Sequence, residues 1–386
     1  MNIVKEKAQQ AMKKAIELAP DRWMPGGRPD PLANSRDGYI GMPTSRIDGA
    51  QKVLGQAPFA AEFAPQGMVY AALVYGTVAR GRIAMLDTAA AEAAPGVVLV
   101  MTHRNAPPMQ PMPLFLSGQK AAAGEKVAVM QDDRVHYNGQ PVAVVLAETQ
   151  EQADHACTLV RVDYEAEAAV TSLAAALARG SEPGAFMGEP LKKEVGDAEG
   201  RLAEAAVKVD AVYRTPRLNH NAIELHAATV AWEGETLRIH DATQAVAHTA
   251  WSMAQVFGLK QEQVHVSSPF VGGGFGGKAM WRHQVLAAAA AKRSGRPVRI
   301  MLSRAGVYRV VGGRSLTEQR VAIGARADGA FEAIVHTGLT NVMYDVTASV
   351  IMPVEYYTPP TLPLALRIFI RTHAEQPLKN NLTSMV

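Results

Sequence analysis

Residues 272–278 read Gly-Gly-Gly-Phe-Gly-Gly-Lys, and no other stretch of the chain restricts the fold as tightly. Five glycines around one aromatic let the backbone approach a ligand closely, with several N–H groups pointing one way. Upstream, Val264-His265-Val266 alternates as a strand does; downstream, Met280 to Lys292 reads as an Ala-rich helix. Strand, glycine loop and helix N-terminus together predict an anion site. The spacing Gly272 to Gly277-Lys278 also fits the phosphate-binding pattern GxxxxGK, which goes on to require Ser or Thr as a magnesium ligand. Ala279 stands there and cannot ligate a metal, so nucleotide hydrolysis is disfavoured. A plain glycine turn packing a helix on a sheet is the bland alternative. The length of the run, the presence of Phe275 and agreement with other segments favour a ligand loop over it.

The 386 residues suffice for two domains, and hydrophobic content of 48% with 19% charged residues describes a globular chain with ample core material. A net charge of +3 with scattered basic residues gives no support to nucleic-acid binding. The single cysteine, Cys157, excludes an intrachain disulfide, a Cys-rich iron–sulfur site and an all-cysteine zinc site. It lies in a helix-like stretch and reads as a buried small apolar residue. No segment has the length and apolarity of a membrane span. The N-terminus carries four lysines and two glutamates in an amphipathic pattern without the apolar core or cleavage site of a secretory signal.

The expected organisation is a helix and linker over 1–38, a first domain over 39–170, a connector over 171–204, a second domain over 205–338 and an atypical tail over 339–386. In the first domain, strands are predicted at Gly67 to Ala72 and Val97 to Thr102, with a helix from Asp87 to Ala94. Val135 to Ala147 reads as a hairpin turning at Asn138-Gly139, followed by a helix from Glu148 to Leu159 and a strand from Val160 to Tyr164. In the second, strands are predicted at Val207 to Thr215, Thr229 to Trp232, Thr236 to Asp241, Val298 to Leu302, Gln319 to Ala325 and Ala333 to His336. A helix from Thr249 to Phe257 is capped by Gly258. Residues 339–386 contain no glycine, whereas all 32 lie earlier. Composition leaves two readings of the tail open, a divergent segment or out-of-frame sequence.

Several passages in order resemble the large, molybdopterin-binding subunit of the xanthine dehydrogenase and aldehyde oxidoreductase family, in particular the bacterial periplasmic aldehyde oxidoreductase type. They are Arg46-Ile47-Asp48-Gly49 with Gly55-Gln56-Ala57, Gly81-Arg82-Ile83, Pro95-Gly96-Val97, and Tyr137 to Ala147 with Glu148-Thr149. Ile223-Glu224-Leu225-His226, Thr243-Gln244 and Val271 to Lys278 follow. The resemblance implies an α+β fold, an α/β-hammerhead domain followed by the first part of a molybdopterin-binding domain. It implies a molybdenum pyranopterin as cofactor, often the cytosine dinucleotide in bacteria, and oxidative hydroxylation of an aldehyde or aromatic heterocycle with water-derived oxygen. Iron–sulfur and FAD subunits are the implied partners, with neither nucleic acid nor membrane. The implied location is the cytoplasm, or the periplasm by co-export with a signal-bearing partner.

By the same resemblance, Gln244 matches the glutamine that hydrogen-bonds an oxo ligand of molybdenum, and Gly273, Gly274, Phe275 and Gly276 line the cofactor. Without it, Gln244 reads as an ordinary turn residue and Phe275 as core. Purine-oxidising members carry a glutamate where Ala279 stands, which points to aldehydes or less polar aromatics. His220, Glu224 and His226 have zinc-ligand chemistry but lack the HExxH order that places ligands on one helical face. The family's general-base glutamate and a downstream arginine have no counterpart here. Glu355 and Glu375 lack matching surroundings. Two readings follow: one piece of a split oxidoreductase completed by a separate chain, or an inactive remnant acting in subunit association.

Overall fold

The computed structural model describes residues 45–113, 120, 121, 123, 128–170, 185, 186, 189, 190, 192–341 and 365–373. The helix and linker expected over 1–38 lie outside them, as does most of the tail. The chain divides into two compact units. Of the smaller, residues 45–57 are described: a short helix, α1 (Gly49–Val53), follows Asp48, whose carboxylate pairs with Lys52 and Arg46.

The larger unit begins at Pro58. Its β1 (Val69–Tyr75) and β2 (Gly81–Asp87) lead to a one-turn helix, α2 (Ala89–Glu92), and β3 (Val97–Thr102). Next come β4 (Arg134–Val135), β5 (Pro141–Ala147), α3 (Gln150–Leu159) and β6 (Arg161–Ala166). Short strands β7 (Ala185–Phe186), β8 (Glu189–Pro190) and β9 (Lys192–Val195) precede α4 (Ala198–Glu204). Then follow β10 (Val207–Thr215), β11 (Ala227–Glu233), β12 (Thr236–Asp241), α5 (Val246–Phe257) and β13 (Val264–Ser267). The last elements are α6 (Arg282–Ser294), β14 (Val298–Met301), α7 (Arg304–Val310), β15 (Thr317–Ala325), β16 (Phe331–Asn341) and β17 (Ala365–His373).

A seven-stranded sheet in the order β13-β12-β11-β14-β1-β5-β3 joins strands from both expected domains. The seam is a parallel pairing of β1 with β14, Val69 opposite Val298. Strand β5 is buried along its whole length, which its unbroken apolar run Val142 to Ala147 permits. Alternate residues serve two cores: Val144 and Leu146 join the main cluster with α6, Ala143 and Val145 the cluster under α3. Thr149 and Gln152 cap α3 reciprocally, as the Thr-x-x-Gln spacing dictates. Helix α6 is buried from Arg282 through Ala291, and its alanines let it sit deep against the sheet. Gly295, in a left-handed conformation at φ 66, ends it.

The hairpin expected over Val135 to Ala147 is not formed. The turn is present, with Gly139 at φ 99, but its two arms enter different sheets. Strand β4 pairs with β2 in a three-stranded sheet, while β5 pairs with β1 and β3. The reason is that both faces of β5 are apolar, so it belongs between two strands inside a covered sheet and not beside one polar arm. The helix expected from Asp87 shrinks to α2, because Asp87 still pairs with Arg161 at the end of β2.

The second large sheet runs β10-β15-β16-β17-β9. Helix α4 packs Ala198 and Leu202 against Ala322, Ala333 and Val335 of this sheet. Strand β9 and helix α4 come from the stretch expected as a connector, and β17 from the tail. Gly324 makes room for the helix: a Cβ there would lie 2.8 Å from that of Ala205.

Candidate cofactor site

The glycine run lies between β13 and α6, and the backbone explains its composition. Gly273 and Gly276 sit at φ 92 and 89, where a side chain is strained. Gly274 answers to a close approach: a Cβ there would stand 2.3 Å from the Gln244 carboxamide. Likewise Gly277 abuts the His220 ring, at 2.7 Å from a would-be Cβ. Phe275 adopts φ 55, rare for an aromatic, and is 60% exposed. The core-packing reading of Phe275 therefore fails; the loop turns its one aromatic outward.

Gln244 stands between β12 and α5 and is zipped to the loop through its backbone. Its N–H donates to the Lys278 carbonyl at 2.8 Å, and the Thr243 hydroxyl donates to the same oxygen at 3.2 Å. Its side-chain Oε1 accepts from the N–H of Gly276 at 3.1 Å and from that of Lys278 at 3.4 Å. Two donors on one carboxamide atom identify that atom as the oxygen, so Nε2 is the other arm of the amide and has no partner among the described residues. The amides of Gly273, Gly274 and Phe275 have no hydrogen-bond partner among the described residues. Gly274 is buried, Gly273 half-buried and Phe275 exposed, so these neutral N–H donors run from inside the loop to its surface, suited to the oxygens of a bound group without bringing a formal charge.

Beneath the loop the chemistry differs. Lys278 is fully buried, and its ammonium pairs with Glu224, whose Oε2 also accepts the Gly272 N–H at 2.6 Å. Burial pushes the Lys278 pKa down, and Glu224 opposes that shift. An ammonium so engaged cannot reach a nucleotide phosphate, which excludes the P-loop reading on geometry as well as on Ala279. The helix N-terminus does not serve as an anion site either. Helix α6 starts at Arg282, and the Trp281 N–H preceding it is taken by Gln284 Oε1 at 2.5 Å inside the core.

His226 and Trp281 both hold the Gly277 carbonyl, through Nε2 at 2.9 Å and Nε1 at 2.7 Å. Contact with a carbonyl makes His226 Nε2 the protonated nitrogen. Burial above all, then the charge of Lys278, depresses His226 to about 4. Asp241 accepts from Gln284 Nε2 at 2.9 Å, and complete burial raises its carboxyl to about 7. His283 packs edge-on against His226 and is held far below the ordinary imidazole value by burial. Of the three side chains with metal-ligand chemistry, Glu224 and His226 are thus spent on the loop, and His220 packs against it. The structure brings together every expected site residue: Gln244, Gly273, Gly274, Phe275 and Gly276. Sequence reasoning missed the clamp beneath, Glu224 with Lys278. No local signal announces it, because the two residues stand 54 positions apart.

Residues 54–168 match the family described as aldehyde oxidase and xanthine dehydrogenase, a/b hammerhead domain. Residues 182–357 match the molybdopterin cofactor-binding domain. The aldehyde oxidoreductase molybdenum-binding subunit PaoC of Escherichia coli (strain K12) is 36% identical over 301 residues, 77% of this chain and 39% of the relative. The nicotinate dehydrogenase large molybdopterin subunit of Eubacterium barkeri is 27% identical, over 76% of this chain and 68% of that one. The solved aldehyde oxidoreductase of Desulfovibrio gigas superposes with a TM-score of 0.71 at 23% identity, over 88% of this chain and 39% of that one, and so shares the fold. The chain spans about 39% of the length of the first curated relatives it matches. With a hammerhead domain followed by part of a cofactor-binding domain, it belongs to the xanthine dehydrogenase and aldehyde oxidoreductase family, as a molybdopterin-binding large subunit matched over its N-terminal part.

Proposed function

We propose that the chain holds a molybdenum pyranopterin through Gln244 and the Gly273–Gly276 loop, in an oxidoreductase that hydroxylates aldehydes or aromatic heterocycles with water-derived oxygen. The carrying observation is the fixed orientation of Gln244: two loop amides hold its oxygen, so its nitrogen can only donate outward. The amides of Gly273, Gly274 and Phe275, unpartnered among the described residues, fit the same group, and Gly274 lacks the Cβ that would push Gln244 aside. When bound, the cofactor supplies the two-electron redox chemistry that no side chain offers. The chain's own residues orient it, and preorganised donors of this kind stabilise negative charge without reorganising during reaction. Phe275, projecting from the loop, supplies an apolar wall that excludes water from the cofactor. Ala279 is buried and apolar and offers no hydrogen bond to a purine, which favours aldehydes, as does the named activity of the Escherichia coli relative.

The cytosine dinucleotide form, the iron–sulfur and FAD partners and a separate chain bringing the remaining catalytic segment, general base included, belong to the same proposal. The nicotinate dehydrogenase relative, 68% covered by the match, supports a molybdopterin subunit of comparable extent. No helix among the described residues is long and apolar enough to cross a membrane.

The test is metal and pterin analysis of the full chain purified from a host that makes the cofactor, alone and with its partner chains. Molybdenum and pterin are expected in equal amounts, with Gln244→Ala lowering both. Loading only in the presence of a second chain supports the split arrangement. Absence of both in every preparation overturns cofactor binding and leaves the association role.

A further inference from the structure

Beside the glycine loop, the structure gathers cations that form no ion pair among the described residues. Strand β10 is followed by Arg217, Leu218, Asn219 and His220. Leu218 exchanges backbone hydrogen bonds with Arg314, its N–H donating at 3.2 Å and its carbonyl accepting at 2.8 Å. This bridge pins the segment of Arg217 and His220 to the segment of Gly313 and Arg314. The fit is close: a Cβ on Gly313 would stand 3.1 Å from Arg217 Nη2 and 2.7 Å from the Leu218 carbonyl oxygen. His220 in turn abuts Gly277 of the loop.

Two donors of Arg217, Nε and Nη2, are sealed from solvent with no acceptor among the described residues, and the buried ring nitrogens of His220 make no well-formed hydrogen bond there, with the Gly312 backbone as a polar neighbour. Arg217 and Arg314 form no ion pair there, although eleven other bases do, among them Arg320 with both Glu199 and Asp210. A guanidinium withdrawn from water without an acceptor is costly, and an arginine fork matches an oxyanion in shape and charge. Burial lowers the Arg217 pKa; burial, with the charges of Arg314 and Arg217, lowers that of His220 against an opposing backbone hydrogen bond at Gly312. Both shifts fit basic groups drawn out of water with no counter-ion beside them among the described residues.

We propose that Arg217, His220 and Arg314 form an oxyanion subsite beside the glycine loop, taking the carboxylate or phosphate group of a small molecule. Arg217 supplies the sealed donors, Arg314 the charge at the mouth, and the neutral His220 ring one N–H. The subsite is separate from Gln244 and its binding does not depend on the molybdenum reading, because a simple anion suffices to probe it.

The test is calorimetric titration of the full chain with inorganic phosphate and, separately, with benzoate at constant chloride ionic strength. At least one is expected to bind saturably; phosphate alone indicates a phosphate ester as ligand, benzoate alone a carboxylate. Arg217→Gln and Arg314→Gln are expected to weaken that binding by about tenfold or more, the scale of a hydrogen bond to a charged group. Arg309→Gln, whose guanidinium lies over the Tyr75 ring, is expected to leave it unchanged. Without anion, Arg217→Gln is expected not to lower the melting temperature, because the donors it removes have no partner; a structural arginine would behave oppositely. If Arg217→Gln fails to fold, the exposed Arg314→Gln carries the binding test. Saturation by neither anion below about 50 mM, which corresponds to less than about 2 kcal/mol of binding, would overturn the proposal. So would full binding in the arginine variants.

Discussion

On its inner side the glycine loop is held by side chains that hydrogen-bond its backbone or pair with one another; on its outer side backbone amides have no partner among the described residues. Inside, Glu224 holds Gly272 and Lys278, His226 and Trp281 hold Gly277, and Gln284 closes the start of α6. Outside, the Gln244 side chain and the Phe275 ring are exposed, and the Gly273–Phe275 amides have no partner among the described residues. The inner side shows how a backbone that carries almost no side chains is kept in one conformation. Its rigidity comes from groups beneath it, which allows the outer side to remain donor-rich without collapsing onto itself.

The strongest way to break this comparison is to remove one charge from the inner clamp. Lys278→Met leaves Glu224 partly buried beside an apolar neighbour and is expected to cost about 3–5 kcal/mol. Urea denaturation measures it. The double variant Lys278→Met, Glu224→Gln is expected to be more stable than Lys278→Met alone, since the orphaned charge is gone. A single variant as stable as the wild type would mean that the clamp does not support the loop.

The buried acids and bases near the loop sharpen the comparison through pH. His226 falls from the ordinary 6.5 to about 4 in the folded protein. Between those values the unfolded chain binds the proton that the folded one refuses, so this residue makes stability rise with pH there. Asp241 does the reverse: raised from 3.8 to about 7, it is protonated when folded and ionised when unfolded, so its contribution falls as pH rises through that range. The two slopes oppose each other between about 4 and 6.5. Asp241→Asn removes one of them and is expected to steepen the loss of stability on acidification by about 1.4 kcal/mol per pH unit. Chemical denaturation at a series of pH values reads the slope. An unchanged slope would show that Asp241 is not held protonated.

The sequence displayed the outer side and concealed the inner one. Glycines and Phe275 in a run, and Thr243-Gln244 after a strand, are local signals that survive without a structure. Strands β3, β10 and β12 were readable to the residue from their alternation and flanking turns. The clamp was not readable, because it depends on Glu224 and Lys278 meeting across 54 positions of sequence. The false hairpin has the same origin: Asn138-Gly139 encodes a turn, but which sheet each arm joins is decided by the burial of β5 on both faces. Helix α4 was hidden in a stretch whose Ala, Glu and Gly content resembles a connector. Only its packing on Ala322 and Val335 gives it a buried face.

The smallest stability effects separate conformation from presentation. Gly276→Ala places a Cβ at φ 89 and is expected to cost about 1–2 kcal/mol, as left-handed strain does. Gly274 has no such backbone requirement. The three atoms nearest its would-be Cβ, Cδ, Oε1 and Cγ, all belong to the exposed Gln244 side chain, which can rotate away. Gly274→Ala is therefore expected to cost less than about 1 kcal/mol in stability. The same rotation takes Gln244 Oε1 off the Gly276 and Lys278 amides and turns its nitrogen from the outer surface. Retained molybdenum, measured on the purified protein, is then expected to fall roughly tenfold, the scale of one lost hydrogen bond to a charged group. A variant that is nearly as stable as the wild type yet loses its metal would locate binding in the aim of Gln244. A variant that keeps its metal in full would move the donor role from Gln244 to the loop amides.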